Sequence, residues 1–113
     1  VISSQIKYLD FKNGAGVRYL TQYGQGVYPI DNQLLFYTFQ GITSDKNWLI
    51  SAILPVKNDV LPDPNTLLAD PDFFDNYPAY LESAKILLDD LPESSYLPGL
   101  TLLDALFQSL EIQ

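Results

Sequence analysis

The chain has 113 residues, enough for one small domain and too few for two. It sets six basic residues against fourteen acidic ones, a net charge of −8, and contains no Cys and no His. Disulfides, thiolate metal sites, Cys nucleophiles and a Ser-His-Asp triad built from this chain alone are thereby excluded, and the commonest general base is missing.

The first five residues read as a lead-in that frays, and Ile6–Phe11 (IKYLDF) as a strand. Asn13-Gly14 follows, a strong hairpin signal because both residues tolerate the positive φ of a tight turn. Gly16–Tyr23 (GVRYLTQY) is the return strand. With Asn13 and Gly14 at the turn centre, Tyr8 faces Tyr19. A loop running from Asn13 to Gly16 instead sets Leu9 opposite Leu20. Either register puts Ile6, Tyr8, Val17, Tyr19 and Tyr23 on one face, which is more apolar than the face with Lys7, Arg18 and Gln22, although Leu9, Phe11 and Leu20 belong to the latter.

Gly24–Gln33 reads as a loop. The organising stretch comes next, LLFYTFQGITSDKNWLISAILPV from Leu34 to Val56. It divides into a strand Leu34–Gln40, a turn Gly41–Asn47 and a strand Trp48–Leu54. Both strands carry apolar residues on both faces, which predicts places in the middle of a sheet, with the first hairpin toward an edge. Pro55–Asp75 holds four Pro and five Asp and predicts an irregular surface segment pinned by Leu67-Leu68 and Phe73-Phe74.

A helix is predicted from an N-cap at Asn76, with Pro78 in its first turn and a stop at Pro92. Its apolar stripe is Tyr77, Tyr80, Leu81, Ala84, Leu87, Leu88 and Leu91. Glu93–Leu100 is a loop. Thr101 and Asp104 resemble a capping box opening a last helix whose apolar face is Leu102, Leu103, Leu106, Phe107 and Leu110. Glu111–Gln113 reads as a short edge strand or a frayed end. Two hairpins followed by two amphipathic helices predict an α+β fold, an antiparallel sheet of about four strands packed against two C-terminal helices, in a single domain spanning residues 1–113. A chain that opens on Val1 and contains no Met is expected to be an excised part of a longer protein.

Charge is unevenly spread. Residues 1–57 hold five basic against three acidic side chains, and residues 58–113 hold Lys85 alone against eleven. An acidic chain of this kind repels nucleic acid, so no nucleic-acid partner is expected. No apolar run reaches the roughly 18 residues of a membrane-spanning helix.

Three groups of residues are candidates for function. Asp59, Asp63, Asp70, Asp72 and Asp75 are oxygen donors of the kind calcium takes, although their spacing matches no EF-hand or repeat loop; the alternative is a solvated, Pro-stiffened segment. Asp10, Asp31, Asp45, Glu82, Asp89 and Asp90 offer carboxylate pairs for glycoside hydrolysis only in the sense that any acid-rich chain does. Tyr8, Tyr19, Tyr23, Tyr28, Tyr37 and Trp48 are either core and cross-strand pairs or an aromatic surface for sugars or a protein partner. The glycines at 14–16 and 24–26 lack the strand–loop–helix setting of a phosphate loop.

The pieces IKYLDFKNGAGVRYLTQYGQ, LLFYTFQGITSDKNWLISAILPV and LLDALFQSLEI resemble a group of uncharacterised exported proteins and lipoproteins of cyanobacteria and related bacteria, over most of the chain. The closing S-L-E-I is also similar to the tail of the extrinsic photosystem P-subunit fold. The first resemblance implies the C-terminal part of an extracytoplasmic protein, in the periplasm or at the cell surface, with a parent that is lipid-anchored to a membrane. It implies no catalytic or binding residues. The resulting expectation is a non-catalytic binding or assembly module, not an enzyme, whose partner is another protein, a segment of the parent chain or a second copy in a homodimer. It needs no cofactor. The alternative expectation is a calcium- or ligand-binding accessory domain of a secreted enzyme.

Overall fold

In the computed structural model, residues 2–22 and 28–112 are described. Tyr23, the glycines of the 24–26 run and Gln113 lie outside them. The fold is α+β. Four strands, β1 (Ile2–Phe11), β2 (Gly14–Gln22), β3 (Leu35–Thr43) and β4 (Leu49–Pro55), form one antiparallel sheet in the order β1-β2-β3-β4. Three helices follow, α1 (Pro64–Leu68), α2 (Tyr77–Asp90) and α3 (Leu100–Gln108), with a 3₁₀ turn at Glu93–Ser95 between the last two.

The helices cover one face of the sheet. Leu9, Phe11, Leu20, Leu35, Tyr37 and Phe39 supply the sheet side of the core, Ala84 and Leu88 come from α2, and Leu100 and Leu103 from α3. Fully burying a side chain of this size contributes roughly 1.5–3 kcal/mol. The Phe107 ring stacks on Phe39 at 4.7 Å and on Tyr37 at 5.7 Å, which fixes α3 over the middle of the sheet. A Cβ on Gly16 would run into the Gln40 carbonyl and the Phe39 ring, so glycine here lets the aromatic layer lie close on the strands.

The first hairpin differs from both predicted registers. Tyr8 pairs with Val17 and Leu9 with Gly16, so the turn is centred on Lys12 and Asn13 rather than on Asn13 and Gly14. Neither turn residue has a positive φ. The Asn13 side chain is occupied elsewhere: its Nδ2 donates to the Ile112 carbonyl at 2.5 Å and its Oδ1 accepts from Ile112 N at 3.0 Å. Lys12 N donates to the Leu110 carbonyl at 3.0 Å. The C-terminal segment therefore docks on this turn and forms no strand. Gly14 is needed for space, because a Cβ there would meet the Phe11 ring and the Ile42 carbonyl.

The expected fraying at the N-terminus also gives way, since β1 starts at Ile2, which is buried. β1 is irregular between Ser4 and Lys7, with Gln5 at φ 53°. This bulge caps a helix. Gln5 Nε2 donates to the carbonyls of Leu88 at 2.7 Å and Leu91 at 2.9 Å, and Gln5 N donates to Asp89 Oδ1 at 2.6 Å. The carbonyls left over at the end of α2 are thus satisfied from the sheet.

Further predicted boundaries move. β3 runs on through Thr43, shortening the predicted Gly41–Asn47 turn. Within that turn Asp45 accepts from Thr43 Oγ1 at 2.6 Å and Asn47 N at 2.9 Å, and the Thr43 bond first and foremost holds its carboxyl below the usual range. β3 is internal as expected, but β4 is an edge strand, because its apolar residues on the second face stay in solvent. The Pro- and Asp-rich segment contains α1, whose N-cap Asp63 accepts from Asn65 N at 2.9 Å. Thr101 and Asp104 form no capping box: Gly99 is the N-cap of α3, and Asp104 is turned inward.

Asp104 meets Arg18. The face of the first hairpin that carries Lys7 and Arg18 is the covered one, the reverse of what its polarity suggests. Arg18 is only 1% exposed. Its Nε lies 3.1 Å from Asp104 Oδ1 and its Nη2 3.2 Å from Oδ2, a bidentate pair. Nη2 also reaches Glu93 Oε1 at 3.1 Å, Nη1 donates to the Gln5 carbonyl, and the Tyr37 hydroxyl donates to Asp104 Oδ1 at 2.9 Å. Lys7 Nζ lies 3.8 Å from both Glu93 and Asp104. Burial, reinforced by the bond to Asp104, pushes the Tyr37 phenol far above its ordinary value.

Replacing Asp104 by Leu strands a buried guanidinium and should cost about 3–5 kcal/mol in urea unfolding. Replacing Arg18 by Met, Asp104 by Leu and Tyr37 by Phe together should recover most of that loss, since the buried polar side chains of the set are then removed and the half-exposed Lys7 and Glu93 are left to pair with each other. Alkali gives a second check. Burial pushes the Tyr96 phenol up to about 12, with its hydroxyl donating to the Leu88 carbonyl at 2.7 Å. The unfolded chain releases that proton near pH 10, so stability present below about pH 10 is lost as pH rises toward 12. Melting temperatures should fall across that interval, and less steeply in Tyr96→Phe.

Candidate functional site

The five aspartates singled out in the sequence are exposed: Asp59 lies in a turn, Asp63 directly precedes α1, and Asp70, Asp72 and Asp75 lie in the connection between α1 and α2. Asp63 caps α1 and Asp70 Oδ1 accepts from Asp72 N at 2.9 Å. Among the described residues, no three acidic side chains form a group able to hold a metal ion. Of the other acids, Asp31 is buried and accepts from Gln33 N at 2.9 Å. Asp89 is partly buried, which raises its carboxyl, but the bonds from Lys85 Nζ at 2.7 Å and Gln5 N outweigh that and leave it below the usual range. Both serve the fold.

The aromatic set divides. Tyr37 is core. Tyr8 and Trp48 are not, and Tyr8 points away from the helices with 82% of its surface in water. It belongs to the second face of the sheet. In register across the strands, that face carries Tyr8, Val17, Gln40 and Ser51 in one row and Asp10, Ala15, Ile42 and Leu49 in the next. Among the described residues no element covers these two rows, and Leu49 is 82% exposed. Further along, Thr21 and Thr38 on the same face are buried, so the open part is the half nearer the two hairpin turns.

The rows enclose a shallow depression of about 480 Å³ lined by Tyr8, Val17, Gln40, Ile42 and Leu49, with Gly16 and Gly41 at its floor. Asp10 is the sole charged residue in the two rows. A surface of this kind recognises apolar partners by area and shape, with the Tyr8 hydroxyl and Gln40 amide as its polar contacts. Its polar side chains are the hydroxyls of Tyr8 and Ser51, the Gln40 amide and the single carboxylate of Asp10. Sequence reasoning found the more apolar face of the first hairpin and left open which side the helices cover. A signal was available in the strand Leu49–Pro55: a two-faced apolar strand is also what an uncovered edge looks like.

A second exposed apolar set lies on α3, where Leu102 (69% exposed) and Leu106 face solvent instead of the core. The nine-residue helix has room for one buried stripe, and Leu103, Phe107 and the inward Asp104 occupy it.

Because the open rows are outside the core, Tyr8→Lys and Leu49→Lys should each change unfolding free energy by less than about 0.5 kcal/mol. Leu20→Ala, on the covered face, should cost about 2–5 kcal/mol. Chemical denaturation of the three variants decides the assignment of faces. Comparison with known proteins finds no family model, no curated protein and no solved structure that matches this chain.

Proposed function

We propose that this chain is a non-catalytic binding or assembly module that acts outside the cytoplasm and meets its partner on the uncovered half of the sheet. The observation that carries the reading is the pair of nearly uncharged, solvent-exposed rows from Tyr8 to Ser51 and from Asp10 to Leu49. Contiguous apolar surface of this kind is rare on a protein that works alone. The composition supports it, since without His or Cys the chain lacks the usual means of activating a nucleophile. The buried charges support it too, because Arg18, Asp104 and Glu93 are committed to one another. The extracytoplasmic setting rests on the resemblance to exported bacterial proteins.

A photoreactive phenylalanine analogue placed at Tyr8 or Ile42 of the protein in its own cell tests this. Both positions should give an adduct of one discrete size, lost when Gln40→Lys charges the face, and Glu82 on α2 should give none. Absence of adducts at the face, or a hydrolase activity of the pure protein abolished by changing one acid, would overturn the reading.

A further inference from the structure

The two edges of the sheet are built differently. At the β1 edge a bulge breaks the strand, Gln5 takes a positive φ, Lys7 follows, and the end of α2 is bonded to Gln5 N. These are the devices by which proteins stop an edge from pairing with another chain. The β4 edge has none of them. Leu49–Pro55 (LISAILP) is regular, uncharged and in unbroken register with β3 from Leu49 to Pro55.

The backbone of that edge is unpaired. Thr43 N bonds to the Trp48 carbonyl and Val56 N to the Leu35 carbonyl. By the alternation of an antiparallel ladder, Ile50, Ala52 and Leu54 then face β3, and the N–H and C=O groups of Leu49, Ser51 and Ile53 point outward from the sheet. No described residue bonds to them. The side chains of the same residues stand on the open face, where Leu49 and Ile53 are both exposed.

We propose that two copies of this chain pair through β4, antiparallel, with Ser51 opposite the Ser51 of the second copy, joining the two sheets into one. The register follows from the edge itself. With Ser51 on the two-fold axis, Leu49 lies opposite Ile53, and every outward N–H of Leu49, Ser51 and Ile53 meets a carbonyl of the copy. Sliding the strands by one bonded pair sets an edge residue against Pro55, which has no N–H, or against Asn47, beyond the strand end. On the open face Leu49 packs on Ile53 at both ends of the seam, and on the covered face the large Ile50 meets the small Ala52. Charge favours the same arrangement. The eleven acids of residues 58–113 would oppose association through the helices, whereas the strand in the seam carries no charge, and α2 packs against β1 at the far edge. A two-fold contact of one strand with itself is the closed, self-complementary kind.

This pairing rests on the reading of the chain as an assembly module and specifies one partner for it. Sedimentation equilibrium over a range from low to several hundred micromolar should show the mass rising from one 12.7 kDa chain to two. Ser51→Pro removes an outward N–H and no bond within the sheet, and Ile53→Lys puts a charge into the seam. Both variants should stay at one chain mass, with the melting temperature that the wild type shows at concentrations where it is a single chain. Because the chain has no Cys, Ser51→Cys carries a single thiol, and bonded antiparallel residues lie about 5.5 Å apart at Cα, within disulfide reach. It should oxidise to a covalent dimer roughly 100-fold faster than Ser94→Cys on the helix side, the gain expected for thiols held together. A wild-type chain that remains single throughout, or a dimer that survives both Ser51→Pro and Ile53→Lys, overturns the pairing. A single chain that still forms the adduct at Tyr8 loses self-pairing alone, because Tyr8 lies on β1, at the opposite edge of the sheet from the seam.

Discussion

The bidentate contact between Arg18 and Asp104 decides which way this sheet faces. A guanidinium cannot be buried without a partner, and once α3 supplies the carboxylate, the strand face bearing Arg18 must be the covered one. The consequences spread along the chain. β2 turns Val17 and Tyr19 away from the core, β1 turns Tyr8 away, and α3 is held with Phe107 over Tyr37 and Phe39. The Tyr37 hydroxyl and Glu93 complete the hydrogen bonding, so four elements and the 3₁₀ turn converge on one group of charges. An apolar replacement of the same volume would stabilise as well or better, but it would leave the two faces of the first hairpin nearly equivalent. The ion pair makes them inequivalent.

The same choice creates the open surface. A sheet whose core face accommodates an arginine leaves apolar residues of its second face in solvent, and the molecule carries the cost in exposed Tyr8, Ile42 and Leu49. Exposure of that kind persists in a working protein when something covers it part of the time. The charge distribution is consistent with this division of labour: the acids concentrate in the half of the chain that forms the helices and their connections, and the sheet surface is almost free of them. The two sides thus differ in charge as well as in cover.

Much of the architecture could be read from residue patterns. The strands and the two long helices follow from alternation and helical spacing, and the α+β class follows from their order. What could not be read depends on residues far apart in sequence. The turn at Lys12 and Asn13 departs from the local Asn-Gly preference because Asn13 is bonded to Ile112, a tertiary contact that no local rule contains. Asp104 looked like half of a capping box since its spacing from Thr101 is right, and only the position of Arg18 shows otherwise. The stripe on α3 was read too wide because Leu102 and Leu106 are as apolar as Leu103, and periodicity alone does not say how much of a helix its neighbour covers. The acidic segment was legible as surface but not as containing α1, whose five residues are too few to show a period.

The capping of α2 by Gln5 has a bearing on the order of events as the chain is made. Gln5 and Leu91 are 86 residues apart, Arg18 and Asp104 are also 86 apart, and Asn13 and Ile112 are 99 apart. Each ties the first fifth of the sequence to the last fourth. A growing polypeptide therefore presents its first hairpin long before the groups that neutralise, cap and clasp it have left the ribosome, and through that interval Arg18 must stay in water with the strands undecided about which side is inward. The contacts that cap, neutralise and clasp the first hairpin close only once residues 91–112 are present.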